Sequence, residues 1–358
     1  MNKSNRQVCS VAVYGAAGHT GRFVVAELLN RGLRPILCGR DRGKLELLAA
    51  DHPGLEVRVA SAEEPASLDR AFAGAAAVIN CAGPFARTAE AAIDAALRAR
   101  IPYLDVAAEI EVASAVFAQY GDRARRAGIA IVPAMAFYGG LGDLLATAAM
   151  GDWASADEIS IAYGLSSWNP THGTRKTSAV SSQRRNGRHF VFSQGTLQLR
   201  GEAAPRTEWQ FPAPLGLQAV AGEFTMADTV TIAHHLHVPE IRSFMTTIAV
   251  QDVTRENYAP PAPVDEKGRS AQTFIVDVVA RSGNVRRRAA ARGGDIYAIT
   301  APLVVEALER VLRENDACGV FAAGELFDPR DFLSSLSPEH LTTEFVTDLA
   351  TSAPRKAG

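Results

Sequence analysis

The stretch that most constrains this chain is Val11-Ala12-Val13-Tyr14-Gly15-Ala16-Ala17-Gly18-His19-Thr20-Gly21-Arg22. A short apolar run from Val8 to Tyr14 reads as a buried strand. Glycines follow at positions 15, 18 and 21, and then Phe23, Val24, Val25, Leu28 and Leu29 form an apolar stripe at helical spacing that Gly32 closes. The first glycine permits a tight turn. The second lets backbone approach a pyrophosphate, and the third lets the helix pack against the strand. Amides at the helix start, aided by the helix dipole, then hold phosphates. A glycine triplet alone is a weak signal. With a strand before it and a helix after it, the turn reads as a dinucleotide cradle made of Gly15, Ala17, Gly18, His19, Thr20 and Gly21.

The same alternation continues through the first 150 residues. Strands are expected at Pro35 to Arg40, Leu55 to Ala60, Ala75 to Cys81, Tyr103 to Val106 and Ile129 to Pro133. Helical patterns fall between them: from Asp41 with Leu45, Leu47 and Leu48, at Ala66 to Phe72, at Thr88 to Arg98, and at Glu109 to Ala127. Strands alternating with helices make a parallel sheet covered on both faces. The expected fold class is therefore α/β, a doubly wound Rossmann sheet of order 3-2-1-4-5-6, with its ligand over the carboxyl ends at the switch point.

The end of the second strand bears on which dinucleotide binds. A carboxylate here would accept hydrogen bonds from the ribose of NAD. This chain places Arg40 there, nineteen residues past the last glycine. A guanidinium pairs with the 2′-phosphate of NADP, and Lys44 one helical turn on adds a second positive charge. Asp41 reads as the N-cap of the next helix. NADP is the expected cofactor. The fourth strand ends in Cys81-Ala82-Gly83-Pro84, which should lie beside the nicotinamide, with Gly83 allowing close approach and Pro84 a rigid turn.

Composition narrows the remaining classes. Hydrophobic residues at 47% and charged residues at 21% supply a large core. A net charge of −2 gives no global reason to expect nucleic acid or a membrane surface as partner. Cys9, Cys38, Cys81 and Cys318 form no C-x-x-C pair, and the first three fall in expected strands. Reduced thiols and a cytoplasmic location follow as expectations. Cys81 has no histidine near it in sequence to make it a nucleophile.

These blocks together resemble a known family. Gly15 to Arg22, Cys38-Gly39-Arg40, Ala82-Gly83-Pro84-Phe85, Tyr103-Leu104-Asp105 with Glu109, and Val132-Pro133 with Phe137 and Gly142-Asp143 resemble the saccharopine dehydrogenase-like oxidoreductases in order and spacing. The resemblance covers about residues 8 to 148 well and the C-terminal stretch loosely. It implies an NADP-binding Rossmann domain, an inserted α+β domain, and a later helix that packs back on the first domain. Members reduce imines formed from amino acids, or act on lipid and polyketide enoyl or keto groups.

After Asp152 the pattern changes. Glu158 to Tyr163, Phe190 to Phe192, Thr196 to Leu199, Phe244 to Gln251, Thr273 to Ala280 and Val285 to Ala291 are strand candidates without regular helices between them. A largely antiparallel sheet is expected. Thr171 to Ser178 reads as a loop entering a helix, and Ile296 to Leu312 as an amphipathic helix. The expected division is 1–150 for the Rossmann domain, 151–294 for the inserted domain, 295–340 for a returning helical segment and 341–358 for a tail, disordered from Ser352.

Other clusters read as structural. His234-His235-Leu236-His237 lacks acidic or cysteine partners at zinc spacing, so a polar loop or strand edge is expected and no metal. Arg184, Arg185 and Arg188, and Arg286, Arg287, Arg288 and Arg292, read as an anion grip or as charged strand edges. Asp105 and Glu109 read as acid/base groups or as structural ones, Asp105 capping the helix after it and Glu109 complementing the dipole of the helix it opens.

The expected activity is NADP(H)-dependent hydride transfer at a C=N, C=O or activated C=C bond of a small organic substrate. A reductase of carrier-bound lipid or polyketide intermediates, and a non-catalytic NADP-binding sensor or scaffold, remain open beside it. Tyr138 and His172 have the chemistry of proton donors, histidine being the residue type whose charge changes most readily near neutral pH. A homodimer paired through the antiparallel sheet is expected, with no nucleic acid and no membrane as partner.

Overall fold

The computed structural model describes residues 9–257, 259–313 and 316–350. The polar start at Met1–Gln7 and the expected disorder from Ser352 lie outside them. The chain divides into two compact units: Met1–Tyr138 with Thr171–Ser181 and Tyr297–Phe321, and Gly139–Pro170 with Ser182–Ile296 and Ala322–Gly358.

The first unit is built on strands β1 (Ser10–Tyr14), β2 (Arg34–Gly39), β3 (Glu56–Val59), β4 (Ala77–Asn80), β5 (Tyr103–Asp105) and β6 (Ala130–Val132). Helices α1 (His19–Asn30), α2 (Arg42–Asp51), α3 (Pro65–Phe72), α4 (Phe85–Ala99) and α5 (Ile110–Ala127) connect them in turn. All strand pairs are parallel, and the order is 3-2-1-4-5-6 as expected. A seventh strand, Gly319–Val320, adds parallel to β6. β1 lies between β2 and β4, inside the sheet. Val11, Ala12 and Val13 are fully buried, which is why an unbroken apolar run rather than an alternating one forms this strand. Val24, Val25 and Leu28 of α1 are equally buried.

The helix Thr300–Arg313 packs on α1. Arg31, just past α1, reaches Glu27 at 2.7 Å, Glu306 at 2.6 Å and Glu309 at 2.8 Å. One guanidinium thus reaches three carboxylates, with Arg310 also 2.8 Å from Glu306, and ties the returning helix down.

The second unit carries a nine-stranded mixed sheet. Its path runs Arg206–Gln210, Leu217–Gly222, Glu240–Thr246, Glu158–Leu165, Thr273–Ser282, Val285–Gly294, Leu341–Ala350. The hairpin His189–Ser193 and Thr196–Arg200 joins at the pair Ile241↔Phe192. Every pairing is antiparallel except Glu240–Thr246 with Glu158–Leu165. The helix Gly142–Met150 lies against the Thr273–Ser282 and Val285–Gly294 strands.

Several expectations need correction. The boundary falls at Tyr138 rather than 150, because the helix Gly142–Met150 packs on the second sheet. Residues 341–350 are a strand of that sheet rather than part of a tail; Leu341 is buried on its inner side. Residues 322–340 group with the second unit and residues 171–181 with the first. The strand expected at Phe244 to Gln251 ends at Thr246, and Thr247–Thr254 is helical although rich in β-branched residues. His234 and His235 end the helix Ala227–His235 rather than forming a loop. His235 Nε2 lies 2.7 Å from Asp143 Oδ1, and no cluster able to hold a metal occurs among the described residues.

The second arginine cluster stands on a strand flanked on both sides, not on an edge. Arg287 pairs with Asp152, Arg288 with Asp277 and Arg292 with Glu344, so their charges are spent internally. Arg185 covers the ring of Phe190, and Arg184 and Arg188 are exposed. Cys9 precedes β1 and Cys81 follows β4, so only Cys38 of the first three lies within a strand. All four thiols are free.

Candidate functional site

The glycine turn is held by backbone on every side. Gly15, at φ +88°, donates its N–H to the Cys38 carbonyl at the end of β2 at 2.8 Å, and Ala16 does so at 3.2 Å. A Cβ on Gly15 would stand 2.7 Å from Ala82 N at the end of β4. A Cβ on Gly21 would stand 2.2 Å from the Gly15 carbonyl oxygen. No side chain could occupy either place, so the two glycines are required by packing. Gly18 precedes α1 and caps it with no side chain, and the first turn carries no acidic residue. The amides of His19, Thr20 and Gly21 therefore open α1 in the arrangement that suits an anion.

Arg40 is exposed at the carboxyl end of β2. Asp41 beside it caps α2, accepting from Lys44 N at 3.1 Å, with Lys44 Nζ 3.4 Å from its other oxygen. The backbone hydrogen bond from Lys44 holds the Asp41 carboxyl below its ordinary range. Asp41 is thus engaged in the cap as read from the sequence, while Arg40 faces solvent.

The carboxyl ends of β4, β5 and β6 are bound together by a buried polar chain. Asn80 accepts from Ala82 N at 2.9 Å and donates to the Tyr103 hydroxyl at 3.1 Å. Tyr103 donates to Asp105 at 2.9 Å, and Asp105 accepts from Ala107 N at 3.0 Å and Ala134 N at 2.8 Å. Asp105 therefore fastens the loops after β5 and β6 and does not cap the helix after β5, which begins at Ile110 without a side-chain cap. Burial pushes its carboxyl up. Glu109 likewise differs from expectation. It makes no side-chain cap for its own helix and instead accepts from Phe85 N at 2.9 Å, the first amide of α4. Burial outweighs that bond and raises Glu109 to about 7.

Between these ends, Gly83 and Pro84 form a cis peptide at the head of α4. Burial pushes the Cys81 thiol well up, which removes it as a nucleophile. His19 packs edge-on against Phe23 at 5.3 Å and Tyr297 at 5.2 Å. Tyr297 is a residue that sequence reasoning missed. Its hydroxyl accepts from Thr171 N at 3.3 Å and bonds Thr174 Oγ1 at 3.0 Å. The segment so held begins the helix His172–Arg185, and a Cβ on Gly83 would lie 3.2 Å from Thr177 Oγ1. His172 opens that helix as an exposed residue. Tyr138 is 6% exposed, in a single π-turn, with its ring edge-on to Phe137 at 4.8 Å. The two proton-donor candidates therefore stand in opposite environments, one wet and one enclosed.

Comparison with known proteins agrees with this geometry. A family model described as NAD(P)H-binding matches residues 15–127, so the glycine turn opens a nicotinamide-dinucleotide-binding region. A probable mitochondrial saccharopine dehydrogenase-like oxidoreductase of Arabidopsis thaliana is 30% identical over 145 residues, 36% of this chain and 32% of that protein. A lipid droplet localized protein of Caenorhabditis elegans is 32% identical over 136 residues, 35% of this chain and 32% of that protein. The match thus spans about a third of the length of these curated relatives. Apo saccharopine dehydrogenase (L-Glu forming) from Saccharomyces cerevisiae shares the fold over 95% of this chain and 100% of that one, with a TM-score of 0.65 and 10% identity. The family resemblance read from the sequence is met in these relatives. No described helix is long and apolar enough to cross a membrane.

Proposed function

We propose that this chain is an NADP(H)-dependent oxidoreductase that transfers hydride to or from a C=N, C=O or activated C=C bond of a small organic substrate. One observation carries the reading: a cradle in which Gly15 and Gly21 admit no Cβ, directly in front of a helix start without side-chain cap or acidic residue. That arrangement fits a pyrophosphate. When bound, the nicotinamide supplies the hydride. The chain's own part is to hold the phosphates on Gly18 to Gly21 and to receive the 2′-phosphate on Arg40. The loops after β4 and β6, fixed by Asn80, Tyr103 and Asp105, keep the reacting face rigid.

His172 and Tyr138 are the proton donors of this reading. The exposure of His172 favours it, since it can exchange its proton with water. Four free thiols support a reducing compartment such as the cytoplasm. The exposed edge strand Arg206–Gln210 supports pairing into a homodimer. The test is NADPH oxidation with a panel of imines, ketones and enoyl thioesters, using the unaltered chain, His172→Ala and Tyr138→Phe. Turnover with one class, lowered in His172→Ala with NADPH binding retained, is the expected result. NADPH binding without turnover on any member would favour a sensor.

A further inference from the structure

Residues 171–181 lie far in sequence from the Rossmann strands, yet they form one compact unit with them. Two contacts fix where they lie. At one end the Tyr297 hydroxyl accepts from Thr171 N and bonds Thr174 Oγ1, while the Tyr297 ring meets His19 at 5.2 Å and 89° in the glycine turn. At the other end Thr177 Oγ1 approaches Gly83, which follows β4, closely enough that a Cβ there would be crowded at 3.2 Å. The segment therefore runs from the loop after β1 to the loop after β4. These two loops bound the switch point of the sheet, where a dinucleotide places its reactive end.

Two threonines bond to each other at this end. Thr174 N donates to Thr171 Oγ1 at 3.0 Å, and the two threonine hydroxyls are 2.9 Å apart. Thr171 is 8% exposed. The first turn of the helix is thus closed on itself, and the Tyr297 hydroxyl joins it to the rest of the unit. Tyr297 does two separable things: its ring supports His19 in the cofactor turn, and its hydroxyl holds the strap.

We propose that Tyr297 is a positioning residue that fastens the Thr171–Thr177 strap across the nicotinamide end of the crevice, shielding that end from water. This rests on the dinucleotide reading above. Water exclusion is what such a cover contributes, since it strengthens the polar contacts beneath it and protects the reduced ring.

The experiment uses NADPH itself as the probe, because reduced nicotinamide fluoresces more strongly when shielded. Tyr297→Phe keeps the ring on His19 and removes the hydroxyl. NADPH affinity should change by less than about threefold, because the phosphate cradle is untouched. The equilibrium constant for closing the strap should fall by about ten- to a hundredfold, the equivalent of two ordinary hydrogen bonds. Bound NADPH should then lose its fluorescence enhancement, and amides of 171–181 should lose hydrogen-exchange protection. Thr174→Val removes one of the two bonds and should move both readouts in the same direction by less, while Thr174→Ser keeps the hydroxyl and should leave them unchanged. Equal enhancement and equal protection in the unaltered protein and both disrupting variants overturns the proposal. Failure of the unaltered protein to bind NADPH overturns the dinucleotide reading and this one with it, and is told apart by the absent binding.

Discussion

Replacing Gly21 with alanine should separate cofactor binding from folding. The new Cβ would lie 2.2 Å from the Gly15 carbonyl oxygen and 2.9 Å from that of Ala16. Both obstacles are backbone, so no rotamer change relieves them. The first turn of α1 must withdraw by about 1 Å, a displacement that commonly costs about a hundredfold at a site built on orientation. Stability suffers less. Overpacking costs about 1–3 kcal/mol, and alanine returns about 1 kcal/mol of helix propensity over glycine. NADPH affinity should therefore fall by at least about tenfold while stability falls by about 0–2 kcal/mol. Two other glycines calibrate the result. A Cβ on Gly18 meets only the Gly15 oxygen at 3.1 Å, so the turn can still pack, but it stands where backbone approaches the pyrophosphate; Gly18→Ala should therefore weaken NADPH with little loss of stability. Gly32, at φ +74° with nothing within 4 Å of its Cβ, should show the reverse pattern. There alanine costs about 1–2 kcal/mol of backbone strain and leaves NADPH affinity unchanged. Calorimetric titration of NADPH and urea denaturation measure the two quantities. Equal NADPH affinity in all three variants would refute the packing argument.

Two further outcomes follow from the buried groups. Glu109, raised from 4.5 to about 7, takes up a proton in the folded state that the unfolded chain does not hold between those values. Stability should therefore fall as pH rises through that window, by up to about 3 kcal/mol for this group. Glu109→Gln keeps an acceptor for Phe85 N and removes the titration, so its stability relative to the unaltered protein should be higher at pH about 8 than at pH about 4.5; parallel urea curves at the two pH values would count against the assignment. All four cysteines should react as thiols under denaturing, non-reducing conditions, and fewer than four would contradict the free thiols seen here.

The first unit was legible because its signals are local. Each strand is an apolar run bounded by glycine, proline or a capping residue, as Tyr14-Gly15 and Gly39-Arg40-Asp41 illustrate. The second unit was less so. Its strand Arg206–Gln210 is exposed and mostly polar, and Leu341–Ala350 alternates only weakly. Thr247–Thr254 has the composition of a strand, and tertiary context makes it a helix. The glycine cradle could be named residue by residue, since its spacing carries the geometry. Tyr297 could not, because its bonds to Thr171 and Thr174 span more than a hundred residues and leave no spacing to read. Glu109 was noticed but given the wrong helix. Its register placed it at the start of α5, and only the packing of β4 beside β5 brings it to the head of α4.

The central claim is that the Gly15–Gly21 cradle and Arg40 hold NADP(H). It is tested most directly by titrating NADPH and NADH into the protein at low and high salt, beside Arg40→Asp. The account predicts saturable NADPH binding, tighter than NADH by a margin that shrinks as salt screens the guanidinium–phosphate pair. Arg40→Asp should abolish that margin while leaving NADH affinity nearly intact. Equal affinities for the two nucleotides would contradict the role of Arg40, and no saturable binding of either would contradict the cradle itself.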